Sequence, residues 1–144
     1  MMQTATIIDE LKAKTSGVGV VRFVATHPDD DHIMGLRSLD DALHILNLYC
    51  VENQATKDDP TEDFDRYCEL RDDASKAFYI YAGCKRKWMN MSSDERGSSG
   101  INILWPDRTD ENFVKALEDA ADGKSPNNIS PIIKYGVQDG PTVL

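Results

Sequence analysis

Thr26-His27-Pro28-Asp29-Asp30-Asp31-His32 places two histidines and three aspartates within the six positions from His27 to His32. Core burial gives no reason for such density. Carboxylates this close repel, and each disfavours ionisation of the next unless a cation or hydrogen-bond donors neutralise the cluster. A bound metal is the economical solution. Imidazole nitrogen with carboxylate oxygen suits zinc best and also admits manganese or iron, while the lack of a thiolate argues against a purely structural zinc site. The competing interpretation is an Asp-rich turn that caps a following helix. An EF-hand fails on spacing, because its loop needs oxygen ligands at positions 1, 3 and 5, and the fifth position from Asp29 is Ile33.

Working outward, Val18-Gly19-Val20-Val21-Arg22-Phe23-Val24-Ala25 is nearly continuous in apolar and β-branched residues, the pattern of a strand covered on both faces. A rigid strand end can fix several short ligating side chains while the loop keeps them open to substrate. Before the strand, Thr6 is expected to cap a short helix through Ile7, Ile8 and Leu11, stopped by Ser16-Gly17. After the loop, Leu39, Ala42, Leu43 and Leu46 recur at helical spacing, with His44 off their face as an exposed residue, and a strand is expected near Leu48 to Val51.

Thr61 then caps a helix whose Phe64, Tyr67 and Cys68 form a core stripe. Phe78 to Ala82 reads as a strand and Asn90 to Gly100 as a polar loop of the kind that borders active sites. Ile101 to Trp105 is a further strand, stopped by Pro106. Thr109 is expected to cap a helix presenting Phe113, Ala116, Leu117, Ala120 and Ala121, ended by Gly123. Two strands close the chain, at Ile129 to Tyr135 and Thr142 to Leu144.

A chain of 144 residues is one domain's worth. No apolar run approaches the roughly 18 to 20 residues that span a bilayer, and the N-terminus lacks the basic and apolar regions of a secretory signal. No membrane association and a cytoplasmic location are expected. Cys50, Cys68 and Cys84 are odd in number without C-x-x-C spacing, so they read as reduced thiols. A net charge of −9 argues against a broad electrostatic footprint for nucleic acid. It does not exclude phosphates as substrates, because cations in a site invert the local potential. Lys85-Arg86-Lys87 is the one compact basic cluster, readable as a phosphate contact or as a solvated loop.

Two families have loops of this kind. Ala25-Thr26-His27-Pro28-Asp29-Asp30-Asp31 resembles the A-H-P-D-D-E start of the LmbE-type zinc N-deacetylases, but the H-x-x-H that supplies their further ligand has no counterpart among the downstream residues, where His44 stands alone. The longer run from Thr26 to Leu36 resembles the (S/T)-H-x-D-x-D-H-I-x-G-L loop of the ComEC-type branch of the metallo-β-lactamase superfamily. Ile103-Leu104-Trp105-Pro106 is similar to that family's mid-domain strand, and Asn127-Asn128-Ile129-Ser130 to its N-x-x-S step.

The second resemblance implies an α/β fold of αββα type, a mixed sheet with flanking helices, as one truncated domain over residues 1–144. It implies His27 and Asp29 on one metal and Asp31 with His32 on the other, the last two also catalytic, with one or two Zn2+ or, in their place, Mn2+ or Fe. Asn127, Ser130, Lys85 and Arg86 are the candidate substrate contacts. The implied activity is hydrolysis of a phosphodiester or nucleic acid by metal-activated water. The family's initial strand pair, its G-D step and its later histidine have no counterparts here, so the expected site is incomplete. A second copy or a further C-terminal segment is expected to cover the terminal strand. A non-catalytic interaction module of the same fold is the alternative, and an LmbE-type deacetylase a third.

Overall fold

A computed structural model describes residues 4–86, 89–90, 92–93, 97–136 and 142–144. The chain is a mixed α/β protein whose described residues form two three-stranded sheets, one parallel and one antiparallel, and a separate two-stranded antiparallel pair. In the parallel sheet β2 (Leu48–Cys50) lies between β1 (Phe23–Val24) and β3 (Ala77–Tyr79), with Leu48 opposite both Phe23 and Ala77. Side chains alternate across a strand, and the alternation at β2 divides the core. Leu48 and Cys50 join Ile33, Leu36, Phe64, Tyr67 and Leu70 in one apolar cluster. Tyr49 and the following Val51 join Ile80, Ile103, Phe113, Ala120 and Ile129 in a second.

The first cluster draws on α2 (Asp30–Ile33), α3 (Leu36–Leu43) and α4 (Glu62–Asp72), and α1 (Thr4–Thr15) contacts α3. The second is built from β6 (Ile101–Trp105) and β7 (Ile132–Gly136) of the antiparallel sheet, whose third strand β8 (Thr142–Val143) is exposed, and from α5 (Glu111–Ala121). Helices therefore lie on one face of the parallel sheet, with β6 and α5 on the other. No helix among the described residues is long and apolar enough to cross a membrane.

Local chemistry sets the helix ends. Thr61 Oγ1 accepts from the Phe64 amide at the start of α4, and Glu62, Asp63 and Asp65 face the positive end of its dipole. At α5 the cap is Asp110, which accepts from the Phe113 amide. Thr109, the residue the sequence favours, instead donates to Asp107. The carboxylate wins because Asp110 stands one residue closer to the first free amides. α5 ends at Gly123, in the left-handed region at φ 82. There the Gly123 amide bonds the Ala120 carbonyl and the Lys124 amide that of Asp119, the pairing of a Schellman cap.

Three other expectations change. The Val18 to Ala25 segment narrows to β1 with a bridge at Val20–Ile45. It is the edge of its sheet, with Val18, Val21 and Val24 exposed, so it is not covered on both faces. A Cβ at Gly19 would meet the carbonyl oxygens of Leu43 and His44 at 2.5 and 2.7 Å, so glycine is what lets this segment approach the end of α3. The 90–100 region carries a short antiparallel pair, β4 (Ser92–Ser93) with β5 (Gly97–Ser98). Asn127–Ile129 forms a 3-10 turn, so the strand expected from Ile129 begins at Ile132.

Candidate metal-binding loop

The His/Asp run leaves the end of β1, where the Ala25 amide still bonds the Tyr49 carbonyl. Three anchors hold it. Pro28, Ile33 and Leu36 are buried. Asp30 accepts from Lys57 Nζ at 2.8 Å and from Thr61 Oγ1 at 3.3 Å, and Lys57 holds its carboxyl below the usual range. Finally, Asp63 accepts from the Gly35 and Arg37 amides at 2.8 and 2.9 Å, one carboxylate oxygen to each. Those amides open α3 and have no intrahelical acceptor.

Sequence reading missed Lys57 and Asp63 as positioning groups, and it took Thr61 only as a cap. A cap motif is local, whereas these bonds reach 27 and 28 residues along the chain. With Asp30 committed to Lys57 and Thr61, the loop's remaining titratable side chains are His27, Asp29, Asp31 and His32.

Asp29 occupies the N-cap position of α2 but makes no side-chain cap bond. This weighs against the helix-capping interpretation of the loop. Its Oδ2 lies 3.7 Å from His27 Nε2. Asp31 Oδ2 lies at the same distance from His32 Nε2. The four side chains thus associate as His27 with Asp29 and Asp31 with His32, and the two imidazole rings are 4.1 Å apart between centroids. Among the described residues no group of three or more His, Cys, Asp or Glu side chains is arranged to hold an ion.

The two pairs differ in environment. Asp31 and His32 are exposed, whereas His27 is only 7% exposed. Its Nδ1 lies 2.6 Å from Ser130 Oγ, with Thr26 Oγ1 further off at 3.4 Å. Its Nε2 is buried with no hydrogen-bond partner. Burial, and then the neighbouring His32, lower the His27 pKa below 6.5, against opposing contributions from Asp29, Asp31 and Asn127. The neutral ring is therefore favoured. If Nδ1–H donates to Ser130, Nε2 carries a lone pair and faces the Asp29 carboxylate, so that two acceptors lie 3.7 Å apart.

That arrangement fits a cation. Two ligands about 2.0–2.1 Å from a tetrahedral zinc ion lie about 3.4 Å apart, close to the 3.7 Å found at each pair. The Ser130 contact is of the kind that fixes the tautomer of a ligating histidine.

The other sequence candidates fare differently. Ser130 reaches the loop because Ile129 is buried in the second core cluster and ends the 3-10 turn beside it. Asn127 is exposed at the start of that turn and accepts from the Ser130 amide. Lys85 is exposed, and Arg86 lies over the Phe78 ring at 4.7 Å. Neither makes a hydrogen bond or ion pair with the loop among the described residues. Lys87 lies outside them. His44 is exposed at the C-cap of α3, with φ 59. In comparisons with known proteins, the chain matches no family model, no curated protein and no solved structure.

Proposed function

We propose that the chain is a metal-dependent hydrolase of metallo-β-lactamase type, ComEC-like in its loop, acting on a phosphodiester or nucleic-acid substrate. The observation that carries this reading is the buried, unpartnered Nε2 of His27 facing the Asp29 carboxylate, with Nδ1 held by Ser130. Burial of a polar atom without a partner costs about 1–3 kcal/mol, and a cation at Nε2 removes that cost. In this reading the mixed α/β layering, with α3 and α4 on one face of the parallel sheet and β6 together with α5 on the other, is taken as a variant of the αββα type.

His27 with Asp29 and His32 with Asp31 would hold the ions, zinc by donor chemistry and manganese or iron as substitutes. A divalent cation there supplies Lewis acidity and brings the pKa of a water ligand towards neutrality. The chain's own residues do the rest. Ser130 orients His27, Asp30 fixes the loop through Lys57 and Thr61, and the exposed Asp31 and His32 present the open side to substrate.

Metal analysis of the purified chain, with hydrolysis of bis(p-nitrophenyl) phosphate under added zinc or manganese, tests the proposal. Bound metal and turnover lost in Asp31→Ala and His32→Ala are expected, and a chain that binds neither ion and is inert sinks it. A non-catalytic module of the same fold is the second reading. It is favoured by the pairwise arrangement of the ligands, since no third donor joins either pair among the described residues.

A further inference from the structure

His32 faces two environments. One is the loop, where Nε2 lies 3.7 Å from Asp31. The other is a groove of about 140 Å3 between α1 and the turn that carries His32. Ile7, Ile8 and Leu11 of α1 form one wall, and Phe23, Met34 and Leu39 stand across from them. Among the described residues, His32 is the only polar side chain on its lining. Met34 is largely exposed and Ile7 partly so. An open apolar recess therefore adjoins the most exposed histidine of the loop.

We infer that this groove is a substrate subsite for a single apolar ring, the aryl arm of a phosphodiester whose phosphate lies at Asp31 and His32. The inference rests on the hydrolase reading above and narrows its substrate class. Size supports one ring, since a cavity of about 150 Å3 lined by Leu, Ile and Phe holds benzene. Lining chemistry separates an aryl group from a nucleobase. A base edge carries several donors and acceptors, and burying them against aliphatic walls leaves them unpaired. Continuity with His32 places the ring next to the scissile bond and not at a remote patch.

The test has a binding arm that needs no catalysis. Toluene titrated into the metal-free full chain should shift the methyl signals of Ile7, Ile8, Leu11 and Leu39, while uridine at equal concentration should leave them in place. Met34→Asp puts a charge at the exposed mouth without touching the core, and Leu11→Phe fills the groove from α1. Each should weaken toluene binding at least tenfold. With added zinc or manganese, Met34→Asp should raise KM for bis(p-nitrophenyl) phosphate about tenfold and leave kcat within twofold.

A folded chain whose groove methyls ignore toluene, or respond as strongly to uridine, overturns the subsite whatever its turnover. Toluene shifts confined to the groove, in a chain that binds no metal and hydrolyses no diester, sink the hydrolase reading and leave the apolar recess standing as a ring-binding site.

Discussion

Ser130 Oγ lies 2.6 Å from Nδ1 of His27, joining two residues 103 positions apart. His27 follows the edge strand of the parallel sheet and Ser130 precedes β7 of the antiparallel sheet, so this contact ties the loop to both halves of the core. A hydrogen bond to the distal nitrogen fixes the tautomer of a ligating imidazole, and losing such a partner typically lowers metal affinity about 10- to 100-fold. Ser130→Ala should lower zinc affinity by that amount in a calorimetric titration, with thermal stability of the metal-free chain changing by only about 1 kcal/mol. Unchanged affinity would mean that Nε2 of His27 is not a ligand.

Asp63 is expected to act on the loop without touching any ligand. Its two oxygens accept from the Gly35 and Arg37 amides, and an N-terminal cap of this kind contributes about 0.5–2 kcal/mol. Asp63→Ala should lower the urea midpoint accordingly, and Asp63→Asn, which keeps one acceptor oxygen, should recover part of the loss. Equal losses in both variants would show that the charge near the α4 N-terminus matters more than the bonds to α3.

The pairing of His27 with Asp29 and of Asp31 with His32 was legible because those residues are close in sequence, and so were the longer helices, whose apolar spacing and caps are also local. Leu48 and Cys50 against Tyr49 and Val51 shows where legibility ends. The sequence marks a strand there, but only the fold reveals that its two faces serve different clusters. Ser130 emerged as a candidate substrate contact through family likeness alone, and its bond with His27 was not foreseen, since no periodicity connects residues 103 positions apart. Val18 to Val24 misled for a related reason. A continuous β-branched run signals burial on both faces only inside a sheet, and β1 is an edge. The groove beside His32 gave no sequence signal, because Ile7, Ile8 and Leu11 read as an ordinary amphipathic helix face.

Thiol reactivity gives an independent check on the core. Burial pushes the Cys50 pKa up to about 12, so its thiolate, the reactive species, is scarce at neutral pH. Cys84 is buried as well, while Cys68 is half-buried with a raised pKa that burial again dominates. A native chain should react with an aromatic disulfide reagent at Cys68 alone and slowly, and at all three cysteines once denatured. Rapid labelling of Cys50 in the native chain would contradict the β2 position between two apolar clusters.

Metal-free protein should lose stability as pH falls through the His27 window. Its folded-state pKa lies below 6.5, because burial and then His32 disfavour the charged ring. The unfolded chain therefore takes up a proton first as the solution is acidified. Stability is complete above about pH 6.5 and declines as pH drops from there towards the folded-state pKa, since the unfolded state binds more protons across that interval. Asp30, whose pKa is lowered by Lys57, acts in a lower window, its contribution being lost only as pH falls through the acidic range below about 4. Thermal melts between pH 7 and 5.5 should thus show a falling Tm in the native sequence and a flatter profile in His27→Gln, which keeps a polar side chain of similar reach but cannot titrate. Saturating zinc should shift the decline to lower pH, because a ligated Nε2 must release the metal before it can be protonated. An equal slope in the native chain and His27→Gln would place the pH dependence on other groups and remove buried neutral His27 as its source.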